Sequence, residues 1–228
     1  MKKVLSHLGK YLGQKEGLNY LALGVMLAAS LYAWPKLSAP LPVHWNIDGE
    51  SDRYGSKAMA LLLLPFLTLG IYLLIYYLPQ IDPRAKTQDP KVLRTLRLVM
   101  SLGFMVMHLG IVSSYLGSAW PVERFVMLAI GLIFLVIGNL LPKVRENWFI
   151  GIRTPWTLDS DYSWFHTHRL GGLIMVVLGL VMMTGTFFLT SRLMFGLLML
   201  GVGLTLLLIP YSYWLWRKDP GRRLEPKS

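Results

Sequence analysis

Six apolar runs, each close to the length of a membrane crossing, constrain this chain more than any other feature. They fall at about Leu18 to Ala33, Ala58 to Leu78, Leu96 to Trp120, Val122 to Leu141, Leu170 to Thr190 and Leu193 to Trp216. About 20 helical residues at 1.5 Å per residue cross a hydrocarbon core of about 30 Å. The sequence therefore predicts an all-α integral membrane protein with six transmembrane helices. Composition agrees, with 54% hydrophobic and 15% charged residues; a soluble fold would have to seal every one of these runs inside one core. The first run is the shortest and resembles the apolar stretch of a signal peptide. Lys2, Lys3, Lys10 and Lys15 give it a long basic lead, however, and Tyr32-Ala33-Trp34 is a poor cleavage site, so an uncleaved helix is expected.

Orientation follows from the positions of the basic residues, because short cytoplasmic segments next to spans collect Lys and Arg. With the N-terminus inside, eighteen of the 23 basic residues lie on the inner side. They are Lys2, Lys3, Lys10, Lys15, Arg84, Lys86, Lys91, Arg94, Arg97, Lys143, Arg145, Arg153, Arg169, Arg217, Lys218, Arg222, Arg223 and Lys227. Only Lys36, Arg53, Lys57, Arg124 and Arg192 are left for the outer side. Both termini are thus expected in the cytoplasm, and the net charge of +11 is accounted for by basic residues facing anionic lipid. No basic domain stands apart from the spans, which argues against nucleic acid as a partner. The chain has no cysteine, so disulfides, thiolate nucleophiles and cysteine-ligated metals are excluded.

Two loops are too patterned to be simple connectors. The first, residues 34 to 57, is expected outside. Pro35, Pro40 and Pro42 should hold its entry extended, Asp48-Gly49 suits a hairpin turn, and Gly55 suits the approach to the second helix. On an extended strand His44, Asn46, Asp48, Glu50 and Asp52 would form a row on one face. Three readings stand side by side: a capped hairpin with Trp45 and Tyr54 at headgroup level, a cation site, and a surface for a cationic or amphipathic partner. The row fails the spacing of a calcium loop.

The second patterned loop, residues 141 to 169, is expected inside. Pro142 ends the fourth span, and Thr157 or Ser160 can start a short helix. That helix would lie in the membrane interface, with Trp164 and His168 on one face and His166 elsewhere. His166 and His168 lack the spacing of a helical zinc pair and a third ligand. Arg153, within Gly151-Ile152-Arg153-Thr154-Pro155, either anchors the loop to the leaflet or forks onto a lipid phosphate.

Within the spans, Gly103, Gly110, Ser114 and Gly117 fall on one side of the third, a small-residue face suited to close helix approach. This makes the third span the expected conduit between the loops. His108 lies near its middle and is expected to hydrogen-bond a neighbouring span, with a functional role as the alternative. Asn139, near the inner end of the fourth span, is expected to pair with another helix. No zinc-protease helix, nucleophile elbow, phosphate-binding glycine loop or paired intramembrane aspartate is present. His44 and His168 would stand on opposite sides of the bilayer, too far apart for one catalytic site. A membrane-embedded enzyme acting on lipid or peptide, and a small-solute transporter, remain as alternative readings; for the second, no broken-helix repeat pairs with Pro65.

These motifs carry a family resemblance. Pro42-Val43-His44-Trp45-Asn46 with Gly49, Asp52, Gly55 and Lys57 resembles the signature of an N-terminal bacterial membrane domain of unknown function. Asn147, Gly151-Ile152-Arg153-Thr154-Pro155-Trp156-Thr157-Leu158, then Trp164, Thr167-His168-Arg169 and Gly171-Gly172, is similar to the C-terminal half of the SdpI family. His166 has no counterpart in that pattern. The resemblance implies a two-helix unit over residues 1–79 and a four-helix unit over residues 80–228. It further implies a multi-pass protein of the bacterial cytoplasmic membrane, without catalytic residues, cofactor or metal. Such a protein gives immunity to a secreted, membrane-active peptide toxin and can hold a winged-helix transcriptional repressor at the membrane. By the same resemblance, the outer contact residues are His44, Trp45, Asn46, Asp52 and Lys57, to which the polar row of the loop adds Asp48. The inner ones are Asn147, Gly151, Arg153, Thr154, Pro155, Trp156, Trp164, His168 and Arg169.

Overall fold

A computed structural model describes residues 16–82, 84 and 88–222. Lys2, Lys3, Lys10, Lys15, Lys86, Arg223 and Lys227, which enter the orientation argument, lie outside the described residues. Six helical stretches among the described residues are long and apolar enough to cross a membrane. Helix α1 (Gly17–Ala33) leads into a two-stranded antiparallel hairpin, β1 (Leu41–Trp45) and β2 (Ser51–Gly55). Helices α2 (Lys57–Ile81), α3 (Pro90–Tyr115), α4 (Val122–Leu140) and α5 (Asp161–Gly185) follow. The sixth stretch is α6 (Ser191–Leu206) continued by α7 (Leu208–Lys218). Among the described residues, the hairpin is the one β element in an otherwise helical fold.

Capping side chains set four helix starts. Ser56 accepts from the Met59 amide, Asp89 from Lys91, Ser160 from Ser163 and Thr190 from Leu193, each satisfying a donor the helix cannot. Pro90 adds a preset φ at the start of α3. Pro210 lacks an amide proton and would crowd the carbonyl of Leu206, which fits the break between α6 and α7 at Leu207.

Helix packing is densest between α4 and α5, where glycines meet in pairs. A Cβ at Gly138 would lie 2.6 Å from the Gly172 carbonyl oxygen, and one at Gly172 would lie 2.6 Å from that of Gly138. One at Gly179 would lie 2.7 Å from the Gly131 carbonyl oxygen. Backbones this close gain dispersion contact that lipid tails cannot offer. Gly110 and Gly103 of α3 serve α4 in the same way, against Phe125 and Ile133.

Several boundaries differ from the sequence reading. The third span begins at Pro90 and ends at Tyr115, so Gly117 is not on its small-residue face. It has φ +88° in the turn beyond the helix, the left-handed region where a glycine ends a helix at no steric cost. Pro35 lies in a 3-10 turn, Trp34–Lys36, and not in extended chain. The separate interfacial helix at Trp164 does not exist: α5 runs unbroken from Asp161. Nothing in His168-Arg169-Leu170 breaks a helix, and Gly171-Gly172 is held by close packing on Leu141, Ile152 and Pro142.

Candidate functional site

At one end of the bundle the hairpin folds back on itself and does not form a single strand. Asn46 makes the turn. Its Oδ1 accepts from the amides of Asp48 (2.9 Å) and Glu50 (3.0 Å), its amide donates to the Glu50 carbonyl (2.9 Å), and Gly49 turns at φ +83°. The row expected over residues 44 to 52 is therefore broken. His44 faces Asp52 across the hairpin, Nδ1 to Oδ1 at 2.6 Å, both about half exposed. This hydrogen bond from His44 holds the Asp52 carboxyl below its usual value. Asp48 points away and pairs with Arg192 at the start of α6, which likewise lowers its pKa.

The other expected contact residues of the loop hold its base or lie along it. Lys57 Nζ donates to the Trp34 carbonyl (2.9 Å) and lies over the Trp34 ring. Tyr115 of α3 donates to the Pro42 carbonyl. Trp45 pairs in register with Ser51 and is half-buried, while Tyr54 is exposed. The tip also reaches α4, because a Cβ at Gly49 would lie 2.9 Å from Glu123 Oε1, which accepts from Ser191 Oγ (3.1 Å). Beside it a cavity of about 260 Å³ is lined by Glu123, Arg124, Thr190, Ser191 and Met194, among others. Glu123 and Arg192 lie far along the chain and in no motif, so local pattern does not connect them with the hairpin.

At the opposite end, residues 143 to 160 form a loop whose motif residues divide into a buried frame and an exposed edge. Asn147 is fully buried. It donates to the carbonyls of Arg145 and Ile150 and accepts from the amides of Phe149 and Ile150, spending its whole hydrogen-bonding capacity on the loop. His168 is buried too. Its Nδ1 donates to the Trp164 carbonyl (2.8 Å) and its Nε2 accepts from the Ile152 amide (3.0 Å), so neither ring nitrogen is free for a metal. Trp164 stacks on His168, donates to the Val144 carbonyl (2.8 Å) and packs with Val92. Trp164 and His168 do share a face, as expected, but it is buried under the loop and not laid in the membrane interface. Thr154 and Thr157 bond to one another, and Thr154 Oγ1 reaches Ser212 Oγ (3.0 Å).

The edge consists of Arg153, Pro155 and Arg169, all exposed, with Trp156 half-buried against Tyr213. Arg153 donates to the Trp148 carbonyl, and Trp148 and Phe149 are exposed beside it. Among the described residues no cluster of three or more His, Asp or Glu side chains could hold a metal ion.

Within the bundle, His108 is fully buried. Its Nε2 lies 3.0 Å from Ser30 Oγ and 3.2 Å from the Met26 carbonyl of α1, and Ser30 in turn donates to the Leu61 carbonyl of α2. Asn139 is exposed and makes no side-chain hydrogen bond to another helix among the described residues, unlike the pairing expected of it; the glycine beside it, Gly138, makes the contact. The sequence reading also passed over a buried pair, Arg97 Nη2 to Glu16 Oε1 at 2.5 Å, with Arg97 beside the rings of Tyr72 and Tyr76.

These features define a multi-pass membrane protein with a structured loop at each end of its bundle. Residues 143–212 match the model of the SdpI/YfhL protein family, and residues 21–69 match a domain of unknown function, DUF1648. Both loop motifs fall inside these matches. The chain is 22% identical over 210 residues to the immunity protein SdpI of Bacillus subtilis (strain 168), an alignment covering 92% of this chain and 100% of that protein. No solved structure matches.

Proposed function

We propose that this chain is a non-enzymatic immunity protein of the bacterial cytoplasmic membrane. Its hairpin faces outward and engages a secreted, membrane-active peptide; the edge of its opposite loop offers an inner docking surface to a winged-helix repressor. The observation that carries this reading is the end-to-end similarity to an immunity protein. The geometry supports binding over catalysis. The buried histidines have their bonds within the fold, and the exposed polar groups of the two loops lie at opposite ends of six spans. The orientation rests on the positive-inside bias.

Expression in a peptide-sensitive host is the direct test. The chain should raise survival against a membrane-active killing peptide, and His44→Ala or Trp45→Ala should weaken protection without lowering the amount of protein in the membrane. Unchanged killing at normal expression sinks the proposal. The orientation is checked separately in this cysteine-free chain: Ser51→Cys should label from outside the cell and Arg153→Cys only after permeabilisation.

A further inference from the structure

Both patterned loops are bonded to the same span. At the hairpin end, Arg192 of α6 pairs with Asp48, and Ser191 holds the Glu123 carboxylate that lies against Gly49. At the other end, α7 and the residue after it clamp the loop three times and the first turn of α5 once. Ser212 Oγ meets Thr154 Oγ1, the Ser212 carbonyl accepts from Ser163 Oγ (2.8 Å), Trp216 Nε1 donates to Asp159 Oδ2 (2.6 Å), and Ser160 Oγ donates to Asp219. The third span also touches both, through Tyr115 to Pro42 and through Val92 to Trp164. It is, however, packed between α1, α2 and α4 along its length.

The sixth span is held differently. In α6 only Met194 and Gly201 are buried, and Gly196 and Gly203 face open space. In α7, Leu208, Ser212 and Leu215 are buried. Between the two lies Leu207, with Pro210 just beyond. The span is thus fixed at the loop end and keeps helical backbone through Leu207, whose amide donates to the Gly203 carbonyl and whose carbonyl accepts from the Tyr211 amide. At the hairpin end it is tied by the turn from α5, the Ser191–Glu123 hydrogen bond and an ion pair whose arginine is 74% exposed. An exposed pair of this kind is weak enough to open.

We propose that the sixth span is the lever that passes the state of the hairpin to the opposite loop. When a bound partner draws Asp48 away from Arg192, α6 and α7 tilt together as one helical span, and α7 rocks at Ser212 and Trp216 and loosens residues 154–163. This assignment rests on the reading of the hairpin as the outer contact surface, and it replaces the third span as the conduit. The third span acts as the fixed post against which the lever moves.

The test needs no partner. In the full chain in lipid nanodiscs, Arg192→Glu sets like charges against Asp48 and opens the latch. Amide hydrogen exchange over 154–164 should then rise between about 2- and 30-fold, the range spanned by couplings through packed elements. Exchange over 99–112 of α3 should stay unchanged, and the swap of Asp48→Arg with Arg192→Asp should restore protection. Faster exchange in the hairpin with an unchanged loop overturns the lever. Should Arg192→Glu fail to fold, Asp48→Cys with Arg192→Cys provides a lock: the loop should exchange more slowly oxidised than reduced, and equal rates overturn the proposal. Because the readout is exchange and not survival, the lever can fail while immunity stands, and the reverse.

Discussion

Gly151 and His168 are built around each other. Gly151 has φ +106°, and a Cβ on it would lie 2.3 Å from His168 Nε2, the nitrogen that accepts from the Ile152 amide. Any side chain at 151 both strains the backbone and displaces the imidazole that holds the next residue. Gly151→Ala should therefore lower stability by about 2 kcal/mol or more, combining a left-handed backbone with a steric clash. Arg153→Ala, two residues on and exposed, should change stability by less than about 0.5 kcal/mol. Thermal unfolding of the two variants in detergent checks this directly. Equal losses would dissolve the division of the loop into frame and edge.

A second prediction concerns His108 and Ser30, which join α3 to α1 and, through the Leu61 carbonyl, to α2. Hydrogen bonds between membrane helices measured by double-mutant cycles average about 0.6 kcal/mol and reach about 1.7. The cycle of His108→Leu and Ser30→Ala should give a coupling in that range, read from unfolding in mixed micelles. A value of zero would mean that the imidazole is held by packing and the Met26 carbonyl alone.

Much of this fold was legible because lipid leaves the backbone few choices. Apolar run length and the polar breaks between runs located six spans without any knowledge of packing. The turn at Asp48-Gly49 was legible too, from residues that tolerate left-handed backbone. Trp164 and His168 were misplaced because a tryptophan beside polar residues reads the same whether it meets lipid headgroups or a buried carbonyl. Only the fold of residues 143 to 152 over the end of α5 decides between them. Asp48–Arg192 and Glu16–Arg97 were invisible for a different reason: their partners lie 144 and 81 residues apart, and local pattern carries no signal at such separations. The family motif marked Asn147, Gly151 and His168 without saying that they build the loop, while Arg153 and Arg169 border it.

The third prediction separates packed from open glycines. Gly138→Ala forces a methyl onto the Gly172 carbonyl 2.6 Å away, and backbone on the facing helix cannot turn aside as a side chain can. Gly203 meets nothing within 4 Å, and alanine there gains helix propensity of about 0.5–1 kcal/mol. Gly138→Ala should thus cost several kcal/mol through overpacking, above the usual range of about 1–3, while Gly203→Ala should be neutral or stabilising. Comparison of their unfolding midpoints tests both at once. A tolerated Gly138→Ala would show that α4 and α5 are not held at backbone contact.

The fourth prediction turns on the sign of a titration. The hydrogen bond from His44 lowers the Asp52 pKa from its ordinary 3.8. A carboxyl whose folded value lies below its unfolded value adds stability that is present above pH 3.8 and is lost as pH falls through the folded midpoint. The pairing should therefore be intact from neutral pH down to 3.8 and open only below it. Carboxyl carbon shifts of Asp52, followed by NMR in nanodiscs, should give a midpoint under 3.8, and His44→Ala should move it upward. Because both groups are about half exposed, raising the salt concentration should shift the midpoint upward as well. A midpoint that ignores His44→Ala would place the cause in the surrounding backbone and remove the histidine from the hairpin's electrostatics.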